Sequence, residues 1–144
     1  MKIGIACDHA GYEMKEYLKK ELAEKGHEVV DFGTNSTESV DYPDYAHPLA
    51  YAIENGEIVY GISICYSGNG INMVMNRHHG IRAALCWNEE VASLARHHNN
   101  ANACSLPGHF VTMEEAVRIV DVFLSQDFDG GRHQRRIDKI DITQ

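Results

Sequence analysis

Short apolar runs alternate along this chain with stretches whose apolar residues recur every three or four positions, and that alternation leaves few folds open. Residues 2–7, 28–32, 58–65 and 81–86 have strand length and composition, and residues 101–105 fit a short fifth strand. Between the first two, residues 12–25 place Met14, Leu18 and Leu22 on one helical face, and Gly26 suits the left-handed turn after a helix. A second helix groups Ala46, Leu49, Ala50 and Ile53 and stops at Asn55-Gly56, and another covers residues 88–98. Thr112-Met-Glu-Glu115 reads as a capping box, the threonine oxygen accepting an early helix N–H while Glu115 reaches back to the cap. It opens a helix bearing Val117, Val120 and Leu124; a polar turn at 127–131 then leads to Arg132-His-Gln-Arg-Arg136 and an amphipathic end with Ile137 and Ile140. Strands alternating with helices predict a parallel sheet covered on both faces, because right-handed crossovers lay each helix back on the sheet. Ligands of such folds gather at the carboxyl ends of the strands.

The 144 residues predict one domain, since a chain of this size buries about two-thirds of its unfolded surface in a single core. Repeats, linkers and low-complexity segments are not evident in the letters. No apolar run approaches the roughly 20 residues that cross a bilayer, and the start, Met1-Lys2 with a short apolar run, lacks a signal-peptide pattern, so a cytoplasmic protein is expected. Thirteen Lys and Arg against 21 Asp and Glu give a formal charge of −8, the wrong sign for general nucleic-acid or anionic-membrane binding. An anionic ligand therefore needs a local basic patch. The four cysteines, Cys7, Cys65, Cys86 and Cys104, are far apart and predict free thiols.

All four cysteines fall at or near predicted strand ends, where a small, weakly polar residue packs well; Cys7, Cys86 and Cys104 are assigned to packing. Cys65 is set apart by the residues after it. Cys65-Tyr-Ser-Gly-Asn-Gly70 puts glycines where backbone N–H groups can converge on an anion, just before a helix start that favours negative charge, and so points to a thiolate base or nucleophile. A phosphate-cradling loop ending in Gly-Lys-Ser/Thr is absent, and the third glycine of a dinucleotide fingerprint would fall at Met73. A cysteine phosphatase loop would need an arginine where Ile71 stands. What remains is a cysteine base, with the N–H groups of Tyr66, Ser67, Gly68, Asn69 and Gly70 holding an oxyanion that develops as a proton leaves carbon next to a carbonyl.

Of the nine histidines, His27, His47, His78 and His79 show no metal-ligand spacing and read as surface or satisfied residues. His9 follows the first strand beside Asp8, at the rim of Cys65, and His98 ends a helix in Arg96-His-His-Asn-Asn100, where the negative helix end favours a protonated ring. Both are expected to reach the ligand crevice. Arg132 and Arg136, four residues apart, share a helical face and can clamp one phosphate.

Five motifs occur together and in order: Cys7-Asp-His-Ala-Gly11, Asp41-Tyr-Pro-Asp-Tyr45, Cys65-Tyr-Ser-Gly-Asn-Gly70, Arg96-His-His-Asn99 and Gly130-Gly-Arg-His133. By these the chain resembles, over nearly its whole length, the ribose-5-phosphate isomerase B family, in the group that includes galactose-6-phosphate isomerase subunits. The resemblance implies an α/β fold, a Rossmann-like three-layer α/β/α sandwich with a five-stranded, mainly parallel sheet, as one isomerase domain over residues 1–144 with a basic helical tail from about residue 130. It implies a homodimer with shared active sites that uses neither metal nor organic cofactor and interconverts an aldose phosphate and a ketose phosphate through an enediolate; pairing of dimers into a tetramer stays open. Cys65 would move the proton, residues 66–70 would stabilise the enediolate, and Ser67 would assist at the oxygens. His98, from the partner subunit, would open the sugar ring beside Asn99. Asp8, His9 and Tyr42 would bind the sugar, and Arg132 and Arg136 the phosphate. An arginine is usual in the family shortly after the fifth strand; here Pro107-Gly108-His109 stands, making His109 a weaker, pH-dependent phosphate contact.

Two other classes compete with an isomerase. A non-catalytic sugar-phosphate binding module would have no need of Cys65, Ser67 and His98 together. A phosphorylation-switched receiver domain would want an acidic pair after the first strand and an aspartate after the third, where Asp8-His9 and Cys65 stand. Ribose 5-phosphate, allose 6-phosphate and galactose 6-phosphate remain open as substrates.

Overall fold

The computed structural model describes residues 1–142. Its strands are β1 (Lys2–Cys7), β2 (Glu28–Asp31), β3 (Tyr60–Cys65), β4 (Ala83–Leu85) and β5 (Ala103–Pro107). Its helices are α1 (Tyr12–Glu24), α2 (Pro43–Glu54), α3 (Asn69–Met75), α4 (Glu89–Asn99), α5 (Met113–Ser125) and α6 (Arg132–Ile137), and a 3₁₀ turn, His9–Gly11, follows β1. The strands form one sheet in the order β2-β1-β3-β5-β4, with every pairing parallel. Ile3 is paired with Val29 on one side and Tyr60 on the other, so the strand order reverses at β1. A crevice opens at such a switch point, between the carboxyl ends of β1 and β3. Cys7 and Cys65 end those two strands.

Side-chain alternation along the strands builds two cores. Ile3, Ile5, Cys7, Ile62, Ile64, Cys104 and Leu106 meet Leu18 and Leu22 of α1, Ala92 and Ala95 of α4, and Ile119, Val120 and Phe123 of α5. Each of the buried Ile, Leu, Val and Phe side chains contributes about 1.5–3 kcal/mol relative to exposure. Ala6, Cys65 and Ala103 point to the other face, against Ala46, Leu49 and Ala50 of α2 and Ile71 and Met75 of α3. There α2 sits close to the backbone: a β-carbon at Gly4 would come within 2.6 Å of Leu49 Cδ1, and one at Gly61 within 2.7 Å of Ile53 Cδ1. The result is the expected α/β/α sandwich.

Several boundaries differ from the sequence reading. β5 begins two residues later than expected and is no marginal strand, for it lies between β3 and β4 with all its residues buried. β4 shrinks to three residues at the sheet edge, because Arg82 is taken up by Asn102: Arg82 N–H donates to Asn102 Oδ1 at 2.9 Å, and Asn102 N–H donates to the Arg82 carbonyl at 3.0 Å. β3 starts at Tyr60 rather than at residue 58. At α5, Glu115 N–H donates to Thr112 Oγ1 at 3.0 Å, which is the threonine half of the expected capping box; the return bond to the Glu115 carboxylate is not formed among the described residues. The basic tail is helical over α6, and residues 143 and 144 of it lie outside the described residues. No helix among the described residues is long and apolar enough to cross a membrane.

Candidate active site

The carboxyl edge of β1 supplies Asp8 and His9. Asp8 caps the 3₁₀ turn, its Oδ1 accepting the Ala10 N–H at 2.9 Å, and its own N–H donates to the Ile64 carbonyl at 3.2 Å, which ties it to β3. His9 Nδ1 accepts the Val40 N–H at 3.1 Å. A backbone donor there requires an unprotonated Nδ1, so the neutral ring carries its proton on Nε2. The same bond holds the long 33–42 loop against the rim.

Cys65 ends β3 in apolar surroundings that include Ala6, Ile71 and Tyr42, and is 5% exposed. Its carbonyl accepts the Gly108 N–H at 2.9 Å, and the Tyr66 carbonyl accepts the His109 N–H at 3.0 Å, so the turns after β3 and β5 are joined. The His109 ring stacks on Tyr66 with centroids 4.2 Å apart and planes 12° from parallel. Gly68 has a φ of +78°, and a β-carbon there would meet Leu85 Cδ1 at 2.5 Å; the sharp descent into α3 therefore needs glycine. Ser67 Oγ accepts the Asn69 N–H at 3.2 Å, while Gly70 and Ile71 lie in the first turn of α3, where N–H groups have no carbonyl one turn back. Tyr42, the residue before α2, lays its ring against Gly70.

A polar chain holds α3 at this angle. Asn72 Nδ2 donates to Ser105 Oγ at 3.1 Å, and Ser105 Oγ lies 2.8 Å from Ser63 Oγ, both serines fully buried. Isolated polar letters in apolar runs are the only sequence signal for these three residues, and it does not say that they meet.

His98, Asn99, Arg132 and Arg136 also come together, around a cleft that His133 shares, but elsewhere. His98 and Asn99 occupy the last turn of α4, which runs back from the carboxyl end of β4. Arg82, just before β4, donates from Nε to the carbonyls of Asn99 and Asn100 at 3.0 and 3.2 Å. That places the group at the amino edge of the sheet, opposite Cys65. The expectation that His9 and His98 both reach one crevice is therefore corrected within a single chain: a helix that follows a parallel strand must end at the strands' amino edge. Arg132 and Arg136 do share α6, as their spacing predicts.

The remaining thiols are buried and free. Burial pushes the Cys7 thiol up to about 12 against the opposing pull of Lys15, and a hydrogen bond with Cys86, together with burial, raises Cys104. His78 is satisfied by Glu54 Oε1 at 2.9 Å and by His47 at 2.7 Å.

Comparison with known proteins bears on this arrangement. A sequence profile described as Ribose/Galactose Isomerase matches residues 3–140. Ribose-5-phosphate isomerase B of Escherichia coli K12 is 42% identical over 139 residues, covering 96% of this chain and 93% of its own. The crystal structure of a ribose 5-phosphate isomerase from Thermotoga maritima is 55% identical, covers 97% of each chain and superimposes with a TM-score of 0.96. Ribose-5-phosphate isomerase B from Mycoplasma genitalium, solved with bound ribulose-5-phosphate, is 45% identical with a TM-score of 0.92, covering 96% of this chain and 93% of its own. With such identity along nearly all of its length, the chain belongs to the ribose/galactose isomerase family and is an isomerase.

Proposed function

We propose that the chain interconverts ribose 5-phosphate and ribulose 5-phosphate in the cytoplasm, as a dimer whose two sites each draw on both subunits. The observation that carries this reading is the separation within one chain: Cys65 with Asp8 and His9 stands at one edge of the sheet, and His98 with Arg132 and Arg136 at the other. Pairing two copies, carboxyl edge to amino edge, completes both sites in one symmetric step. The ribulose-5-phosphate held by the Mycoplasma genitalium relative supports the choice of sugar.

In this reading the His98 imidazole of one subunit, beside Asn99, opens the furanose ring, and Arg132 and Arg136 clamp the phosphate through paired N–H donors. Across the interface Asp8, His9 and Tyr42 hold the sugar chain, with His109 beside them. Cys65, as thiolate, takes the proton from the second carbon, leaving the electron pair to form the enediolate. Donors of residues 66–70 and the Ser67 hydroxyl stabilise the oxygen that gains charge. After a proton passes between the two oxygens, Cys65 returns its proton to the first carbon.

A panel of ribose 5-phosphate, allose 6-phosphate and galactose 6-phosphate tests the reading. Ribose 5-phosphate is expected to have the highest kcat/KM, and Cys65→Ala to lower its turnover at least about 10²-fold while phosphate-ligand binding persists. Unchanged turnover in Cys65→Ala would remove the base, and a six-carbon preference would replace the substrate.

A further inference from the structure

Beside His98 the amino-edge cleft holds two further donors, Asp129 and His133, for which the proposed isomerisation has no use. His98 from the end of α4, Asp129 from the turn after α5 and His133 from the start of α6 place their ligand atoms within 4.8 Å of one another. The two imidazoles face each other with centroids 4.3 Å apart and planes 13° from parallel. Asp129 is aimed from outside: His97 Nδ1 lies 2.7 Å from its Oδ1, His97 Nε2 lies 2.7 Å from Gln126 Oε1, and the Asp129 N–H donates to the His97 carbonyl at 3.1 Å. Partners of this outer kind fix the orientation of metal-binding groups.

Two imidazoles and a carboxylate suit zinc and its neighbours in the first transition row. Tetrahedral coordination with bonds of about 2.0–2.1 Å sets ligand atoms about 3.4 Å apart, so side-chain rotation of an ångström or so closes the triangle. A fourth position would face the cleft of Arg132 and Arg136 and take water or a phosphate oxygen. The two guanidinium groups oppose a cation, which makes this a weaker site than a closed structural zinc centre.

We propose that His98, Asp129 and His133 form a site for a zinc-class divalent ion, which inhibits the enzyme by occupying the His98 imidazole. The ion site stands on its own geometry, whereas the inhibition rests on the ring-opening role of His98 proposed above.

Calorimetric titration of the chelator-stripped protein with zinc is expected to show one ion per chain, weakened at least about tenfold in both Asp129→Asn and His133→Ala, and unchanged in His47→Ala. Thermal melts check that each variant folds. Cobalt bound in the same way should show ligand-field bands without the intense thiolate-to-cobalt charge-transfer band that binding at Cys65 would produce. Zinc should inhibit isomerisation in competition with sugar phosphate, reversibly on chelation, and Asp129→Asn should keep basal turnover while escaping inhibition. Equal zinc affinity in wild type and both variants, loss in His47→Ala, or a thiolate band would each overturn the site. Zinc bound at the triad without inhibition would leave the site standing and overturn the role of His98.

Discussion

The ring of Tyr42 occupies the space where Gly70 would carry a side chain: a β-carbon on Gly70 would come within 2.5 Å of Tyr42 Cζ and 2.7 Å of its hydroxyl oxygen. The start of α2 and the first turn of α3 are thereby fitted to each other beside Cys65. Gly70→Ala must push the ring away, and displacement of about an ångström near reacting atoms costs on the order of 10²-fold in rate. We expect kcat to fall by that order, with only about 1–3 kcal/mol lost in stability from overpacking. Adding Tyr42→Ala should cost less than the two single effects combined, because it frees the space; full additivity in kcat would show that the contact has no such role.

The shared-site reading makes a distinctive prediction for mixtures. Cys65→Ala and His98→Ala proteins, each inactive alone, should regain up to about a quarter of wild-type activity after subunit exchange, since half the dimers are mixed and each has one intact site. Assay after exchange proven by differently tagged chains checks this. No recovery would mean that each site is made within one chain.

Lys15 has no exposed surface, yet its Nζ lies 2.6 Å from Asp31 Oδ2 and 2.9 Å from Glu16 Oε2. Lys15→Met should destabilise the fold by about 1–3 kcal/mol, the range for losing a hydrogen bond to a charged group, because Asp31 keeps its bonds from Lys19 and the Gly33 N–H. Burial alone would raise the Asp31 pKa, but the hydrogen bonds from Lys15, Lys19 and the Gly33 N–H outweigh it and hold the carboxyl below its usual range. Its contribution is thus present above the unfolded value of about 3.9 and is lost as pH falls through the lower folded value. Urea unfolding from neutral pH downward should show a shallower acid loss in Asp31→Asn than in wild type.

The cysteines should separate by chemistry. Cys7, pushed up to about 12, and Cys104, raised as well, stay protonated at neutral pH, and Cys7, Cys86 and Cys104 are all 0% exposed. Iodoacetamide should modify Cys65 first, one group per chain, in step with loss of activity, and sugar phosphate should slow it. Peptide mapping that finds Cys7 or Cys104 labelled at a similar rate would contradict this.

Chain order made one half of the candidate site legible. Asp8, His9 and the 65–70 turn follow strands directly, so the rule that ligands meet strand carboxyl ends found them. The same directional rule, applied to α4, already implied that His98 ends at the far edge, but a residue's own letters do not show which edge it faces. The interior place of β5 was hidden because strand order depends on which crossovers the packing selects, and neither length nor period encodes it. The Ser63, Ser105 and Asn72 chain and the cluster of His98, Asp129 and His133 join residues from separate elements. Such meetings leave no spacing to read.

The distance between the two edges also decides what one chain is worth. Both cores close within a single copy, yet His98, Arg132 and Arg136 lie at the edge of the sheet opposite Cys65. Under the shared-site reading, dilution would therefore silence the protein long before it unfolds it. Output per molecule would rise with abundance, governed by how often copies meet.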